Sequence, residues 1–237
     1  MDLQGKVAWI TGGARMGLAV GRILSQEGCG LAYTYRSSRQ SAEETSQEII
    51  AEGGKAMILR CDLTQRTQVE RAARKMARHY GRLDILINLS SIYEEGEWDA
   101  HMRTNAASAY LLSVAVAPWM KRGGEGRIVH IADWTSASGR PRYKKYSPYY
   151  VSKAAIQAVV EAMGLELAPT ILVNAIAPGP ILPPKGMAAR ERQAVIQATP
   201  LARWGGPEEI AKAVRFLCQT DFMTGETIRV DGGRHLY

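Results

Sequence analysis

Short runs of apolar and β-branched residues alternate along this chain with longer stretches in which apolar positions recur every three or four residues. The first kind reads as buried strands and the second as amphipathic helices. Strands are expected at Val7–Thr11, Leu31–Tyr35, Ala56–Arg60, Ile85–Ile87, Arg127–Ile131, Leu172–Ala177 and Thr227–Val230. Helices are expected at Gly17–Gln26, Ala42–Ala51, Gln65–Tyr80, Trp98–Met120, Tyr150–Leu167 and Pro207–Cys218. The first helix shows the pattern: Leu18, Val20, Ile23 and Leu24 can face a sheet while Arg22, Ser25 and Gln26 face water. Regular alternation of strand and helix implies a parallel sheet with helices on both faces. No repeat or low-complexity linker interrupts it, so residues 1–237 read as one α/β domain. In such sheets ligands bind beyond the carboxyl ends of the strands. The residues that follow each strand are therefore where chemistry is sought.

The chain is long enough for one large core. Its apolar runs are too short to span a membrane. The opening Met1-Asp2-Leu3-Gln4-Gly5-Lys6 does not resemble a secretory leader. Cys29, Cys61 and Cys218 fall in no CxxC or ligand pattern, so reduced thiols and a cytoplasmic location are expected. The net charge of +7 comes from scattered basic residues. A nucleic-acid partner is not expected from such scatter. His79, His101, His130 and His235 lack metal-ligand spacing, so no metal site is expected.

Four segments carry candidate chemistry. Thr11-Gly12-Gly13-Ala14-Arg15-Met16-Gly17 joins the first strand to the first helix. Glycines there allow a tight turn and let a pyrophosphate reach backbone N–H groups at a helix N-terminus, although an ordinary loop uses them too. The second strand ends in Tyr35-Arg36-Ser37-Ser38-Arg39 with no carboxylate. An acidic residue there would bind a ribose 2′-hydroxyl, whereas arginine can hold a 2′-phosphate. NADP(H) is thus expected over NAD(H), with Arg36 and Arg39 as solvated residues the alternative. Tyr149-Tyr150-Val151-Ser152-Lys153 opens a helix pattern and puts Tyr149 and Lys153 four apart on one face. An ammonium beside a phenol favours the phenolate and draws its pKa from about 10 toward neutrality. Tyr150 is the rival phenol, but it is only three residues from Lys153. The loop Arg140-Pro141-Arg142-Tyr143-Lys144-Lys145 precedes the tyrosines; it reads as a solvated charge run or as a hint of an acidic substrate.

These motifs, in this order over the whole chain, resemble the short-chain dehydrogenase/reductase family. The resemblance is nearest to its pteridine reductase and dihydromonapterin reductase-like branch. It implies a doubly wound Rossmann sheet of seven parallel strands in the order 3-2-1-4-5-6-7, and hydride transfer with NADP(H). The glycine turn is similar to the family's TGGAR variant but one residue short between Arg15 and Gly17. The resemblance implies cofactor contacts from Gly12, Gly13, Arg15, Gly17, Arg36, Ser37, Asp62, Leu63, Asn88, Lys153, Pro178 and Gly179. It implies catalytic roles for Tyr149, Lys153 and Asn105. Asp133 follows the fifth strand where most members carry serine. It lies sixteen residues before Tyr149, whereas Ser136 lies at the usual thirteen, so Ser136 and Ser138 remain rivals for that role. A carboxyl group there can relay a proton to a ring nitrogen. Tyr93 falls where the pteridine-like branch stacks an aromatic on its substrate, a packed surface tyrosine being the alternative. Asp62 reads equally as a helix cap. Residues 181–199 correspond to the family's substrate lid. The two longest helical patterns imply a dimer or homotetramer. Two enzymatic readings stand, reduction of a pteridine-like ring and reduction of a 3-oxoacyl thioester or other carbonyl. A catalytically silent NADP(H)-binding sensor or scaffold is the reading from another class.

Overall fold

A computed structural model describes residues 1–12, 16–184 and 186–237. The strands are β1 (Val7–Thr11), β2 (Gly30–Tyr35), β3 (Lys55–Arg60), β4 (Ile85–Asn88), β5 (Gly126–Ile131), β6 (Ile171–Pro178) and β7 (Thr227–Val230). They form one sheet in the order β3-β2-β1-β4-β5-β6-β7, every neighbouring pair parallel. The chain is a Rossmann-type domain. Chain direction across the sheet reverses between β1 and β4, and a crevice opens there at the strand ends.

Helices cover both faces, which is why the central strands read as unbroken apolar runs. Trp9, Leu86 and Ile128 point to one face, where α3 (Arg66–Tyr80), α5 (Ser108–Gly123) and α7 (Ser147–Leu167) pack with Met76, Val116 and Val160. Ile10, Ile87 and Val129 point to the other, against α1 (Gly17–Gln26), α2 (Arg39–Ala51) and α9 (Pro207–Gln219) through Leu24, Ile49 and Val214. Leu18 and Ile23 are only partly buried. They still pack against this core, where Val20 and Leu24 are fully buried, and Gly21 lets Tyr33 of β2 approach α1, since the Tyr33 hydroxyl would overlap a side chain there.

The expected single helix over Trp98–Met120 is three segments: α4 (Trp98–His101), a π-helical turn (Met102–Ala107) and α5. The interruption falls on Asn105, which is buried and bonds groups outside its own helix. A π turn of this kind accommodates an inserted residue and often marks a functional position. Two short helices lack periodic signal in the sequence, α6 (Trp134–Ala137) and α8 (Ala189–Gln197).

A buried polar chain crosses the sheet beneath its carboxyl edge. Thr11 Oγ1 donates to Asn88 Oδ1 at 2.6 Å. Asn88 Nδ2 then faces His130 Nδ1 at 3.3 Å, and His130 Nε2 meets Ser113 Oγ at 2.9 Å. Ser113 donates its own hydrogen to the Ala109 carbonyl. This order assigns the His130 proton to Nε2. Asn88, read from sequence as a cofactor contact, is thus committed to joining β1, β4 and β5. Burial, with the charge of Lys153 adding to it, depresses the His130 pKa to about 3.

A histidine kept neutral in the fold but free to protonate near pH 6.5 when unfolded costs stability as pH falls. The cost begins near pH 6.5 and grows until the folded ring itself titrates. Between pH 7 and pH 5 the native chain is expected to lose about 2 kcal/mol more than a His130→Gln variant. Urea unfolding at the two pH values measures it, and equal losses would count against a neutral buried ring.

Candidate active site

The ends of β1, β2, β4, β5 and β6 open into one cleft of about 930 Å³, at the upper end for small-molecule sites. Its floor begins at Gly12, where φ is 60°. A Cβ there would lie 2.5 Å from Ser90 Oγ and in the disfavoured left-handed region, so only glycine lets β1 turn so close to the end of β4. Gly17 opens α1 at the cleft wall. Gly13 and Arg15 lie outside the described residues. At the opposite rim, Gly179 crosses Asp231 so closely that a Cβ would come within 2.6 Å of its Cα. Pro178 and Gly179 line the cleft there.

At one end of the cleft Arg36 and Ser37 follow β2 and Asp62 and Leu63 follow β3. Asp62 Oδ1 accepts from Thr64 N at 3.0 Å and from Thr64 Oγ1 at 2.8 Å, closing its own turn. Burial works to raise the Asp62 pKa, but these bonds and the Arg36 charge outweigh it and hold the carboxyl low. Arg36 also borders a side cavity of about 390 Å³ together with Arg60 and Arg71. Those two arginines escape a reading by motif. Arg60 meets Tyr35 in register across β2 and β3, and Arg71 lies on α3.

The other end is built on α7. Its first turn includes Pro148, a good helix starter without an N–H to satisfy. Tyr149 therefore lies inside the helix, although the sequence pattern starts only at Tyr150. Tyr149 and Lys153 are one turn apart and both buried. Lys153 Nζ donates to the Ile131 carbonyl at 2.8 Å and sits 5.7 Å from the Tyr149 ring centre. The Tyr149 hydroxyl donates to Asp133 Oδ2 at 2.9 Å. Asp133 is the N-cap of α6 and accepts from Thr135 N with its other oxygen. Ser136 Oγ instead donates to the Asp133 carbonyl and accepts from Gln157, and Ser138 bonds the Trp134 carbonyl. Of the three rivals, Asp133 is the one that reaches the phenol. Tyr150 does not line the cleft.

The electrostatics differ from the sequence expectation in one respect. Burial, then the charge and hydrogen bond of Asp133, raise the Tyr149 pKa well above its ordinary value. Ionising this phenol would place two negative charges at hydrogen-bond distance in a dry wall. The ammonium is farther off, on the ring rather than the hydroxyl. Burial also lowers Lys153 to about 8, with Asp133 opposing.

Asn105 does not face the cleft. Its Oδ1 accepts from Ile92 N at 2.9 Å, and its Nδ2 donates to the Ile92 carbonyl and to Ser152 Oγ. Both amide hydrogens are taken, so in this arrangement the side chain ties the loop after β4 to the start of α7. Among the described residues no hydrogen bond joins it to Lys153, whose ammonium goes to Ile131. That loop carries Tyr93, whose ring stacks on Tyr146 at 5.0 Å and meets Tyr149 edge-on at 4.8 Å. Trp134 and Tyr143 extend this aromatic wall. The segment 181–199 supplies Ile181, Leu182, Met187 and Val195 to the cleft, and α8 lies within it.

Residues 13–235 match the family described as enoyl-(acyl carrier protein) reductase. A 3-oxoacyl-[acyl-carrier-protein] reductase of Vibrio cholerae is 31% identical over 250 residues, covering 100% of both chains. A solved short-chain dehydrogenase/reductase from Serratia marcescens superposes with a TM-score of 0.90 at 31% identity, covering 99% of this chain and 100% of that one. The chain belongs to the short-chain dehydrogenase/reductase family. It is an oxidoreductase of that family, alike in fold from end to end. A variant actinorhodin polyketide ketoreductase, solved with NADPH, has a TM-score of 0.89 at 26% identity and covers 98% of both chains.

In this short-chain dehydrogenase/reductase the Tyr149–Asp133 bond makes a testable statement about pH. Replacing Asp133 by Ser removes the neighbouring charge that raises the phenol. The variant's phenol should therefore lose its proton at lower pH. The alkaline fall of kcat/KM for nicotinamide-dependent reduction is expected to move to lower pH in Asp133→Ser. An unchanged limb would mean that Asp133 does not govern the proton on Tyr149.

Proposed function

We propose that this short-chain dehydrogenase/reductase is an NADPH-dependent reductase of a small-molecule carbonyl, with Tyr149 as the acid. The observation that carries this reading is the Tyr149 hydroxyl on the cleft wall, hydrogen-bonded to Asp133, with the buried Lys153 one helical turn away. The donor set fits NADP(H). A guanidinium and a hydroxyl follow β2 and no carboxylate does, so a 2′-phosphate finds partners and no like charge. Arg36, Ser37, Asp62 and Leu63 would hold the adenosine end. Gly12, Gly13, Arg15 and Gly17 would hold the diphosphate. Lys153, Pro178 and Gly179 would hold the nicotinamide end. When bound, NADPH supplies the hydride. Tyr149 gives its proton to the carbonyl oxygen. Lys153, charged below about pH 8, offsets the phenolate that remains. Likeness to the Vibrio cholerae 3-oxoacyl-[acyl-carrier-protein] reductase and to the ketoreductase solved with NADPH supports both the reaction and the cofactor.

A second reading, reduction of a pteridine-like ring, is favoured by Asp133 in place of serine and by Tyr93 stacked on Tyr146. A carboxyl group hydrogen-bonded to the phenol can pass a proton to a ring nitrogen, and a tyrosine platform suits a flat heterocycle. Steady-state NADPH oxidation with 3-oxoacyl thioesters and with 7,8-dihydropterins separates the two readings. Oxidation with neither would favour a silent NADP(H)-binding protein.

Tyr149→Phe is expected to lower turnover at least about 100-fold while NADPH still binds by fluorescence titration; normal turnover would remove its role. Arg36→Ala is expected to weaken NADPH about 10- to 100-fold and NADH far less. Equal losses would overturn the cofactor assignment. A dimer or tetramer is also part of this reading. Tyr110 of α5 and Val151 and Leu165 of α7 are exposed apolar residues on the two long helices, and light scattering in solution should give a multiple of 26.0 kDa. The three free cysteines are buried, in keeping with a cytoplasmic, reducing setting.

A further inference from the structure

The charge run before the catalytic tyrosine is exposed along its length, but its cations turn to different partners. Arg140 Nη1 donates to the His235 carbonyl at 3.3 Å and so ties the end of the chain. Lys145 reaches Glu95 at 3.8 Å on the surface. Arg142 turns the other way, into the cleft, with its guanidinium carbon 5.9 Å from the centre of the Trp134 ring. A second guanidinium, Arg234 from the turn after β7, lies 5.3 Å from the same ring and also lines the cleft.

These two arginines come from segments ninety-two residues apart and meet on one indole. Trp134 is buried, directly follows Asp133, and donates through Nε1 to the Tyr143 hydroxyl at 3.2 Å. Arg234 gives one N–H to the Ala198 carbonyl at 2.6 Å. Among the described residues neither guanidinium has a carboxylate ion pair. The two acids nearest in sequence are occupied. Asp133 accepts from Tyr149 and Thr135. Asp231 accepts from Gly233 N, His235 N and His235 Nδ1. Both arginine charges bear on Tyr143, lowering its pKa against a net rise caused chiefly by burial. Two like charges beside one ring, both lining the cleft and neither paired with a carboxylate among the described residues, would be offset by an anion that entered there.

We propose that Arg142 and Arg234 form an anion-binding subsite at the substrate end of the cleft, so that the natural substrate carries a carboxylate or phosphate beside its reducible group. This rests on the reductase reading above. Trp134, Tyr143 and Tyr93 would then flank the substrate's body between the reactive phenol and the paired guanidiniums. A planar guanidinium binds carboxylate and phosphate alike through two parallel hydrogen bonds. Its cation–π seat on Trp134 holds it in place before the ligand arrives.

The test uses the full-length protein and matched aldehydes, 4-carboxybenzaldehyde and its methyl ester, with NADPH. The native protein is expected to show a kcat/KM for the acid at least about tenfold above that for the ester, lying in KM and fading with added salt. Arg142→Gln and Arg234→Gln should each reduce that acid-to-ester ratio about tenfold or more, and Arg142→Lys should restore part of it. A loosened fold would lower both substrates together and weaken NADPH, so NADPH affinity is measured alongside. No acid preference in the native protein, or equal losses for acid and ester, would overturn the subsite. If the native protein reduces neither aldehyde, the reductase reading is what has failed on these probes. The subsite is then decided by calorimetric titration of NADPH-saturated protein with terephthalate and with phenyl phosphate. Saturable binding lost in the double variant upholds it, and the tighter ligand tells carboxylate from phosphate. No binding of either by the native protein overturns it.

Discussion

The hydrogen bond from Tyr149 to Asp133 joins the two halves of the reactive end of this molecule. One partner stands on the first turn of α7 and the other caps α6 at the tip of β5. Both are largely removed from water, so the bond sets which of them can be charged. With a carboxylate beside it, the phenol stays protonated. Lys153 is anchored below by the Ile131 carbonyl, at the end of the same strand that leads into Asp133. The end of β5 and the first turns of α7 thus fix the three groups relative to one another before any ligand enters. A site that needs little rearrangement has less to lose on binding.

Behind that wall the structure is polar where the central strands are otherwise apolar. The run from Thr11 through Asn88 and His130 to Ser113 satisfies every member it passes, as a buried network must. It lies under the cleft floor and keeps β1, β4 and β5 in register where the cleft opens. Asn105 performs a comparable service on the other side, holding the loop that carries Tyr93 against the helix that carries Tyr149. Neither asparagine lines the cleft, but Asn88 accepts from Ser90 N and Asn105 from Ile92 N, and both of those residues do.

Much of this was legible in the sequence because local pattern and long-range packing agree. β1, β7 and α1 have the bounds that periodicity gives, and the remaining strands gain a residue or two at their ends. YxxxK and the acid after β5 are close in the fold because helix pitch and strand-end geometry put them there. Other features depend on contacts that sequence distance hides. The break in Trp98–Met120 follows from Asn105 bonding Ile92, a tertiary event. Helix α6 is one turn long and has no period to detect. Asn88 and Asn105 sit at the expected positions in the chain, but their amides point into packing and not into the cleft. Arg234 could not be placed beside Arg142 by spacing, since only the return of the chain after β7 brings it there.

Asp133 has two loyalties. One carboxylate oxygen receives the phenol and the other receives the backbone that begins α6. A side chain replacing it must therefore start a helix as well as face the reaction. Serine and aspartate are among the few residues that cap helices well. The same constraint that keeps α6 wound thus confines drift at this position to short oxygen-bearing side chains. Exchange between those two changes the chemistry offered to a ligand while leaving the scaffold standing.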